Sequence, residues 1–261
     1  MIYNTKCHKA EGETMAESVK SESLYAALRS RILNGGLRPG QSLRLRALAQ
    51  ELGSSATPVR EALNRLHAEN FVTTEANKGF RVATVTLEEL EDLESARSAI
   101  ETQLLVRSIE KGDGNWEVNL VGAHYRLSKC QVPNSFSQSE AIDLWDAAHT
   151  EFHFALIAGA SSIWLMNFAQ QINAQLQRYR RHIILRIDHL NRAAEQKGGH
   201  VLGVLSREAL GIDAHTALMQ AALDRDKIKA EALMVDHVRL AKEAFLKLAK
   251  AGGISGFDAA A

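Results

Sequence analysis

The sequence predicts a mainly α-helical protein, in which a small domain of three helices and a β-hairpin precedes an all-α antiparallel helical bundle. Apolar residues recur at helical spacing through most of the chain, and the only clear β-rich runs are "FVTTE" and "FRVATV". With 261 residues, of which 46% are hydrophobic, the chain can bury a core in each domain.

Composition divides the chain into two domains and two tails. The opening residues are polar and without periodicity, so we expect disorder there, with Met15 as an alternative start. The expected segments are a disordered tail over 1–20, the small domain over 21–85, the helical bundle over 86–250 and a flexible tail over 251–261.

The charge of the chain is unevenly distributed. Residues 20–85 hold ten Lys and Arg against five Asp and Glu, whereas residues 86–261 hold nineteen against twenty-three. A basic front region is a modest indication of nucleic-acid binding, since many solvated surfaces reach the same excess by chance.

Cysteine usage and hydropathy point to a cytoplasmic protein. Cys7 and Cys130 are the only cysteines, too few for a disulfide framework or a cysteine-based zinc module. The first twenty residues lack the apolar core of a secretion signal, and no run of about eighteen apolar residues could span a bilayer. We therefore expect no membrane segment.

The first two predicted helices lie before residue 54. Leu24, Leu28 and Ile32 have helical spacing, and the glycines and proline of "NGGLRPG" then end the helix. In "RLRALAQELG" the apolar positions again line one face, and Gly53 suits the C-terminal end. Arg44 and Arg46 stand at the amino end of this second helix.

The third helix carries the strongest local pattern. Thr57 is expected as N-cap and Pro58 as the first helical residue. Arg60 and Arg65 fall outside the buried stripe and can face a partner. That stripe comprises Val59, Ala62, Leu63 and Leu66.

A β-hairpin follows, with "ANKG" as its connection and Gly79 near the turn. Three helices and a hairpin form a winged helix-turn-helix, whose second motif helix presents its amino end to the major groove of DNA. Ser55, Thr57 and Arg60 lie at that end, where arginine can bind guanine and hydroxyl groups can bind phosphate.

Residues 23–85 resemble the winged helix-turn-helix of the GntR family of bacterial transcription regulators, through "LRSRILNGGLRPG", "LAQELG", "TPVREALNRL" and "KGFRVA". The resemblance implies a homodimer that binds double-stranded, pseudo-palindromic operator DNA. Many members carry arginine where this chain has Ala56, so their operator sequences do not transfer. Together with the arguments above, the expected DNA-binding residues are Arg44, Arg46, Ser55, Thr57, Arg60, Lys78 and Gly79.

From Thr86 onward the apolar pattern is helical. Thr86 and Glu89 form a capping box at the start of the first long helix. Further helices are predicted over about 115–129, 140–159, 162–187, 203–224 and 226–250. Trp145 and Trp164 are expected in the core of this bundle.

The stretch "HTEFH" places His149 and His153 four residues apart, on one face of a helix. A zinc protease of the HExxH type needs glutamate directly after the first histidine, but Thr150 takes that position. Glu151 is rotated by about 100° from it and faces elsewhere. The pair can bind metal, while the hydrolytic base is missing.

The bundle resembles the FCD effector domain that follows many GntR winged helices, through Arg97 with Glu101, "HTEFHFALIAGAS" and "DAHTALMQAALDRDKIKAEALMVDH". This resemblance implies a divalent metal, with histidine at one position where the family usually has aspartate. Because that change removes a negative charge, a pocket that works without metal is the alternative. Imidazole ligands favour Zn, Ni or Cu over Mg or Ca, and Asp146 lies one turn before them. The implied ligands are His149, His153, His215 and His237.

The resemblance also implies a small carboxylate effector, which needs fixed positive charge in the pocket. The candidates are Arg97, Arg178 and Arg180. The sequence thus predicts a transcription regulator, by family habit a repressor, and no enzyme. Two alternatives remain at this point: a metal-dependent hydrolase with an accessory DNA-binding module, and an architectural DNA-binding protein with a vestigial pocket.

Overall fold

The computed structural model describes residues 21–75, 79–130, 139–194 and 211–251. The described residues form two compact units, with the boundary between Val85 and Thr86. The expectations for residues 1–20 and 252–261 lie outside the described residues. No helix in the described part of the chain is long and apolar enough to span a membrane.

The first unit combines three helices with a small antiparallel sheet. The sheet order is β1-β3-β2, and Val72 of β2 pairs with Val82 of β3. The elements are α1 (21–33), β1 (Ser42–Leu43), α2 (Leu45–Glu51), α3 (Ala56–Ala68), β2 (Val72–Glu75) and β3 (Gly79–Val82).

The apolar stripes predicted for this unit are buried. Leu28 and Leu63 are fully buried, and Leu48 lies with them in the unit's core. Gly53 follows the end of α2 with φ of 59°, a left-handed conformation that favours glycine. The local helix patterns were therefore sufficient to predict which faces pack.

The start of α3 differs from the prediction. Thr57 is not the N-cap, because the helix begins at Ala56 with Ser55 in the capping position. Pro58 is consequently the third helical residue and not the first. A proline is tolerated there because the amide groups of the first turn have no intrahelical partner.

The second unit is a helical bundle around α4. Helix α4 packs against α6, α7 and the C-terminal helix α9, so it occupies the centre of the bundle. Thr86 caps α4, accepting a hydrogen bond from the amide of Glu89 at 3.0 Å, which confirms one half of the predicted capping box. The other half differs, because the Thr86 amide donates to the Tyr179 hydroxyl at 3.0 Å and not to the Glu89 side chain. The helices are α4 (Leu87–Lys111), α5 (Gly114–Lys129), α6 (Ser139–Ile157), α7 (Ile163–Ala194), α8 (Ile212–Leu223) and α9 (Lys227–Ala251).

The apolar core of the bundle includes Trp145 but not Trp164. Trp145 is buried, as predicted, together with residues such as Phe152 and Leu104. Trp164 is 73% exposed at the start of α7, so its expected core position is wrong. Helical spacing of apolar residues does not show whether the first turn of a helix is packed or exposed. Trp164 lies in such a first turn, before the packed part of α7.

Candidate functional site

The amino end of α3 presents polar side chains to solvent. Ser55, Thr57 and Arg60 are exposed, while Val59 and Leu63 on the opposite side are buried. The Ser55 side chain makes no capping hydrogen bond although the residue occupies the N-cap position. Its hydroxyl group therefore remains available to a phosphate oxygen.

Two further arginines are exposed at the start of α2, where Arg44 is the N-cap residue and Arg46 lies in the first turn. Gly79 begins β3 with φ of 77°, a left-handed backbone conformation that favours glycine. Lys78 lies outside the described residues.

Arg65, which the sequence left free to face a partner, is exposed but makes contacts within the chain. Its guanidinium group binds Glu22 and stacks 3.8 Å from the ring centroid of Tyr25. Arg65 thus joins α3 to α1, and Arg60 is left as the exposed arginine near the amino end of α3.

In the helical unit, the four predicted histidines come together. His149 and His153 project from α6, His215 from α8 and His237 from α9, and all four are buried. One ring nitrogen from each lies within 4.8 Å of the others. The Nε2 atoms of His153 and His237 are 3.1 Å apart.

Neighbouring groups orient the imidazole rings. The Nδ1 of His215 donates to the carbonyl oxygen of Gly211 at 2.8 Å, which leaves Nε2 as the nitrogen with a lone pair. The buried Nε2 atoms of His149 and His215 have no hydrogen-bond partner within the part of the chain that the structure describes. Trp145 stacks on His149 with ring centroids 4.6 Å apart and closes one side of the cluster.

Burial is the main influence on these rings. It lowers the pKa of all four imidazoles, well below the usual value for His149 and His237 and to about 3 for His215. At His153 the Glu101 carboxylate opposes this effect. The rings are therefore neutral near pH 7, which is the form that binds metals.

A buried ion-pair network adjoins the histidines. Arg97 lies on α4 between two carboxylates, with Nε 2.9 Å from Glu101 and Nη1 3.6 Å from Glu94. The other Glu101 oxygen is 3.3 Å from Nδ1 of His153. Burial raises the pKa of Glu101, but Arg97 and His153 together outweigh burial and lower that pKa to about 2.

The role of Glu101 toward His153 was not predicted from the sequence. Its i, i+4 spacing from Arg97 indicated an ion pair, whereas the contact with His153 crosses between α4 and α6. Asp146, the carboxylate that the sequence placed beside the histidines, instead accepts hydrogen bonds from Gln177 and Arg180.

A cavity of about 250 Å³, including space open to solvent, lies between the histidines and two arginines. Arg97 and Arg180 line it, together with His149, His153 and Asn173. Arg180 is buried, with Nε 3.1 Å from Asp146.

Arg178 does not line this cavity. It is buried with its guanidinium group 3.6 Å from Glu89. The two arginines predicted from "LQRYRRH" therefore have different surroundings.

The donor set fits a divalent transition metal. Four neutral imidazoles converge, and two of their buried nitrogens have no other partner. Zinc, nickel and copper accept such ligands, whereas magnesium and calcium prefer oxygen. The Gly211 carbonyl oxygen accepts a hydrogen bond from His215, and a Glu101 oxygen lies 3.3 Å from Nδ1 of His153; such neighbours commonly orient metal-binding histidines.

Glu151 is remote from this chemistry. It is exposed, and its two carboxylate oxygens bind Arg126 at 2.7 and 3.0 Å. The direction of Glu151 expected from the sequence is confirmed, and the hydrolase alternative gains no base from this residue.

The chain matches two family models. Residues 20–82 match the bacterial regulatory proteins of the gntR family, and residues 92–240 match the FCD domain. The chain is 32% identical to the HTH-type transcriptional regulator BphR of Paraburkholderia xenovorans (strain LB400), covering 83% of this chain and 81% of BphR. It is 31% identical to the HTH-type transcriptional repressor GlaR of Escherichia coli (strain K12), covering 82% of this chain and 90% of GlaR.

Solved structures share the fold. McbR/YncC of E. coli covers 87% of this chain and 97% of its own, with a TM-score of 0.63 and 20% identity. A GntR transcriptional regulator of Rhodococcus sp. RHA1 covers 88% and 98%, with a TM-score of 0.62 and 18% identity. The chain therefore belongs to the GntR family, as a DNA-binding transcriptional regulator with an N-terminal helix-turn-helix domain and a C-terminal FCD effector domain.

Proposed function

We propose that this regulator is a homodimeric repressor that releases a pseudo-palindromic operator when a small carboxylate binds in the helical unit. We further propose that the four histidines hold a divalent metal, zinc or nickel, at the floor of the effector pocket. The observation that carries this proposal is the convergence of four buried imidazoles beside a cavity lined by Arg97 and Arg180.

A bound metal ion would supply the positive charge that an anionic effector needs. Arg97 and Arg180 do not supply it alone, because the nearby carboxylates of Glu101 and Asp146 offset their charges. A divalent ion on four neutral imidazoles would keep both of its charges, and so would attract a carboxylate to the pocket. Arg97 and Arg180 supply planar N–H donors that suit the two oxygens of that group.

The effector is a small molecule. The pocket is lined closely by side chains of the helical unit, including the buried Arg97, His149 and Arg180, and this leaves room only for a compact ligand. Phe154 and Ile157 add apolar lining. We therefore propose a short organic acid as the effector. Arg178 is left out of the proposed pocket because it does not line the cavity.

Repression follows from two considerations. The relative GlaR, whose sequence covers most of this chain, is named a transcriptional repressor. A carboxylate that binds more tightly to the geometry that does not bind DNA lowers operator affinity by its differential affinity for the two states.

The proposed homodimer and operator symmetry belong together. Helix-turn-helix proteins bind as two-fold dimers, which suits a pseudo-palindromic operator.

The test uses purified protein and an operator selected from a random DNA pool. Fluorescence anisotropy would measure operator affinity with a panel of small mono- and dicarboxylates, and with neutral sugars and amines as negative controls. We expect at least one acid to lower the operator affinity about tenfold or more.

The matched variants are Arg180→Gln, in the pocket, and Arg181→Gln, which removes an adjacent arginine that pairs with Asp143 at 2.9 Å. Arg180→Gln should bind the operator normally without responding to the acid, whereas Arg181→Gln should respond as the wild type does. Equal responses in the two variants would remove Arg180 from the site. A protein indifferent to every acid would contradict effector control by a carboxylate.

A further inference from the structure

The outward face of α5 is apolar. Val118, Val121 and Tyr125 are 71%, 46% and 60% exposed. Their spacing of three and four residues places them on one side of the helix. The opposite side packs into the core of the unit through Trp116, Leu120, Ala123 and Leu127. We name the exposed row formed by Val118, Val121 and Tyr125 the α5 stripe.

We propose that the α5 stripe pairs with the same stripe of a second copy of this chain, with the two helices antiparallel. The inference rests on the homodimer of the proposed function and adds to it a surface and a register.

The α5 stripe is nearly symmetric about a point between Val121 and Gly122. A two-fold axis at this point places Val118 against Tyr125 of the partner subunit, and Val121 against Gly122 of the partner subunit. Large side chains thus face small ones at each level, which is the condition for close packing. The glycine also permits a close approach of the two helices at the axis.

Charge favours a second copy in this orientation. The amino end of α5 carries Asp113 as N-cap and the last turn carries Lys129, whereas Glu117 and Arg126 are already paired within the chain with Arg225 and Glu151. Antiparallel pairing places Asp113 near Lys129 of the partner subunit and sets the two helix dipoles in opposite directions, with each amino end beside a carboxyl end. Parallel pairing would bring like ends together.

The neighbouring helix also exposes an apolar side chain. Leu144 of α6 is 62% exposed. Its carbonyl oxygen lies 4.0 Å from Sγ of Cys130, just beyond the carboxyl end of α5. A stable interface buries about 800 Å² per partner, so the dimer interface needs residues beyond the three of the α5 stripe, and Leu144 is one candidate.

Cysteine cross-linking tests the surface and the register together. In a full-length Cys7→Ser, Cys130→Ser background, Val121→Cys should form a disulfide-linked dimer on mild oxidation, because a residue beside a two-fold axis lies next to its own copy. Disulfides need Cβ atoms about 3.5–4.5 Å apart.

The matched control is Val118→Cys, which is more exposed than Val121. Its own copy would lie about 10 Å away along the paired helices, so the single variant should stay monomeric on a denaturing gel. Val118→Cys combined with Tyr125→Cys should cross-link again.

Sedimentation equilibrium separates the two levels of the proposal. If the protein is dimeric but Val121→Cys fails to cross-link, or Val118→Cys cross-links equally fast, the proposed pairing of the α5 stripes is wrong. The proposed homodimer would still stand. A protein that stays monomeric at all concentrations overturns both.

A substitution at the axis gives an independent measurement. Val121→Arg should raise the dimer dissociation constant at least tenfold, while its far-UV circular dichroism stays unchanged because the side chain is partly exposed. An unchanged dissociation constant in this variant contradicts the proposed surface.

Discussion

In the N-terminal unit the arginines expected to contact DNA, Arg44, Arg46 and Arg60, are exposed. In the helical unit, Arg97 and Arg180 are buried and lie against carboxylates. An exposed arginine can bind a phosphate or a base without disturbing the fold. A buried arginine is part of the fold, so substitutions there affect stability and binding together.

The two units also differ in how their functional groups are assembled. Ser55, Thr57 and Arg60 lie within six residues of each other on one helix turn and its cap. The four histidines come from three helices, and Arg97 and Glu101 from a fourth. The group formed by Ser55, Thr57 and Arg60 depends on local structure, whereas the histidine cluster depends on the packing of the whole bundle.

The largest expected effect on stability is at Arg97. Arg97→Ala leaves Glu94 and Glu101 buried without their counterion, which should cost about 3–5 kcal/mol of the unfolding free energy. Arg60→Ala, at an exposed position, should change that free energy by less than about 0.5 kcal/mol. Urea denaturation followed by circular dichroism measures both; similar losses in the two variants would remove the distinction between the units.

The second effect concerns operator binding. Arg60→Ala should weaken specific binding by about 1–3 kcal/mol and relax the sequence preference, because an arginine that binds guanine at two points contributes that discrimination. Arg65→Ala is the control on the same helix, since Arg65 binds Glu22 and should leave the sequence preference unchanged. Anisotropy titrations against operator and scrambled DNA provide the measurement; intact specificity in Arg60→Ala argues against its assignment.

The smallest effect compares the two N-caps. The Thr86 hydroxyl accepts a capping hydrogen bond, so Thr86→Ala should lower stability by about 1 kcal/mol. The Ser55 side chain caps nothing, so Ser55→Ala should cost less than about 0.5 kcal/mol and instead weaken operator binding. Thermal denaturation and anisotropy on both variants would show the difference; a reversed order of stability losses would contradict it.

Much of the fold could be predicted because its determinants are local. Apolar spacing predicted the helices and their buried faces, and the Thr86–Glu89 pattern predicted a cap that the structure contains. Strand β1 was not predicted, since two residues carry no periodicity and Ser42 and Leu43 become a strand only by pairing with β3. The start of α3 was misplaced by two residues because several polar residues there could serve as N-cap.

The site was only partly predictable for the same reason. Spacing alone could place His149 beside His153, but the meeting of His215 and His237 with them depended on the family resemblance. The contact of Glu101 with His153 and the separation of Arg178 from the cavity arise from tertiary packing. No pattern within one helix reports which neighbouring helix a polar side chain meets.

Elemental analysis of untagged protein, never exposed to a nickel column, tests whether the buried histidines bind a metal ion. We predict about one zinc, nickel or copper ion per chain, absent from His215→Ala. His124→Ala is the matched control: His124 lies outside the cluster, bonded to Thr216, and this variant should keep the metal. A folded wild-type protein that contains no metal and does not retain added zinc would show that the four histidines are not a metal site.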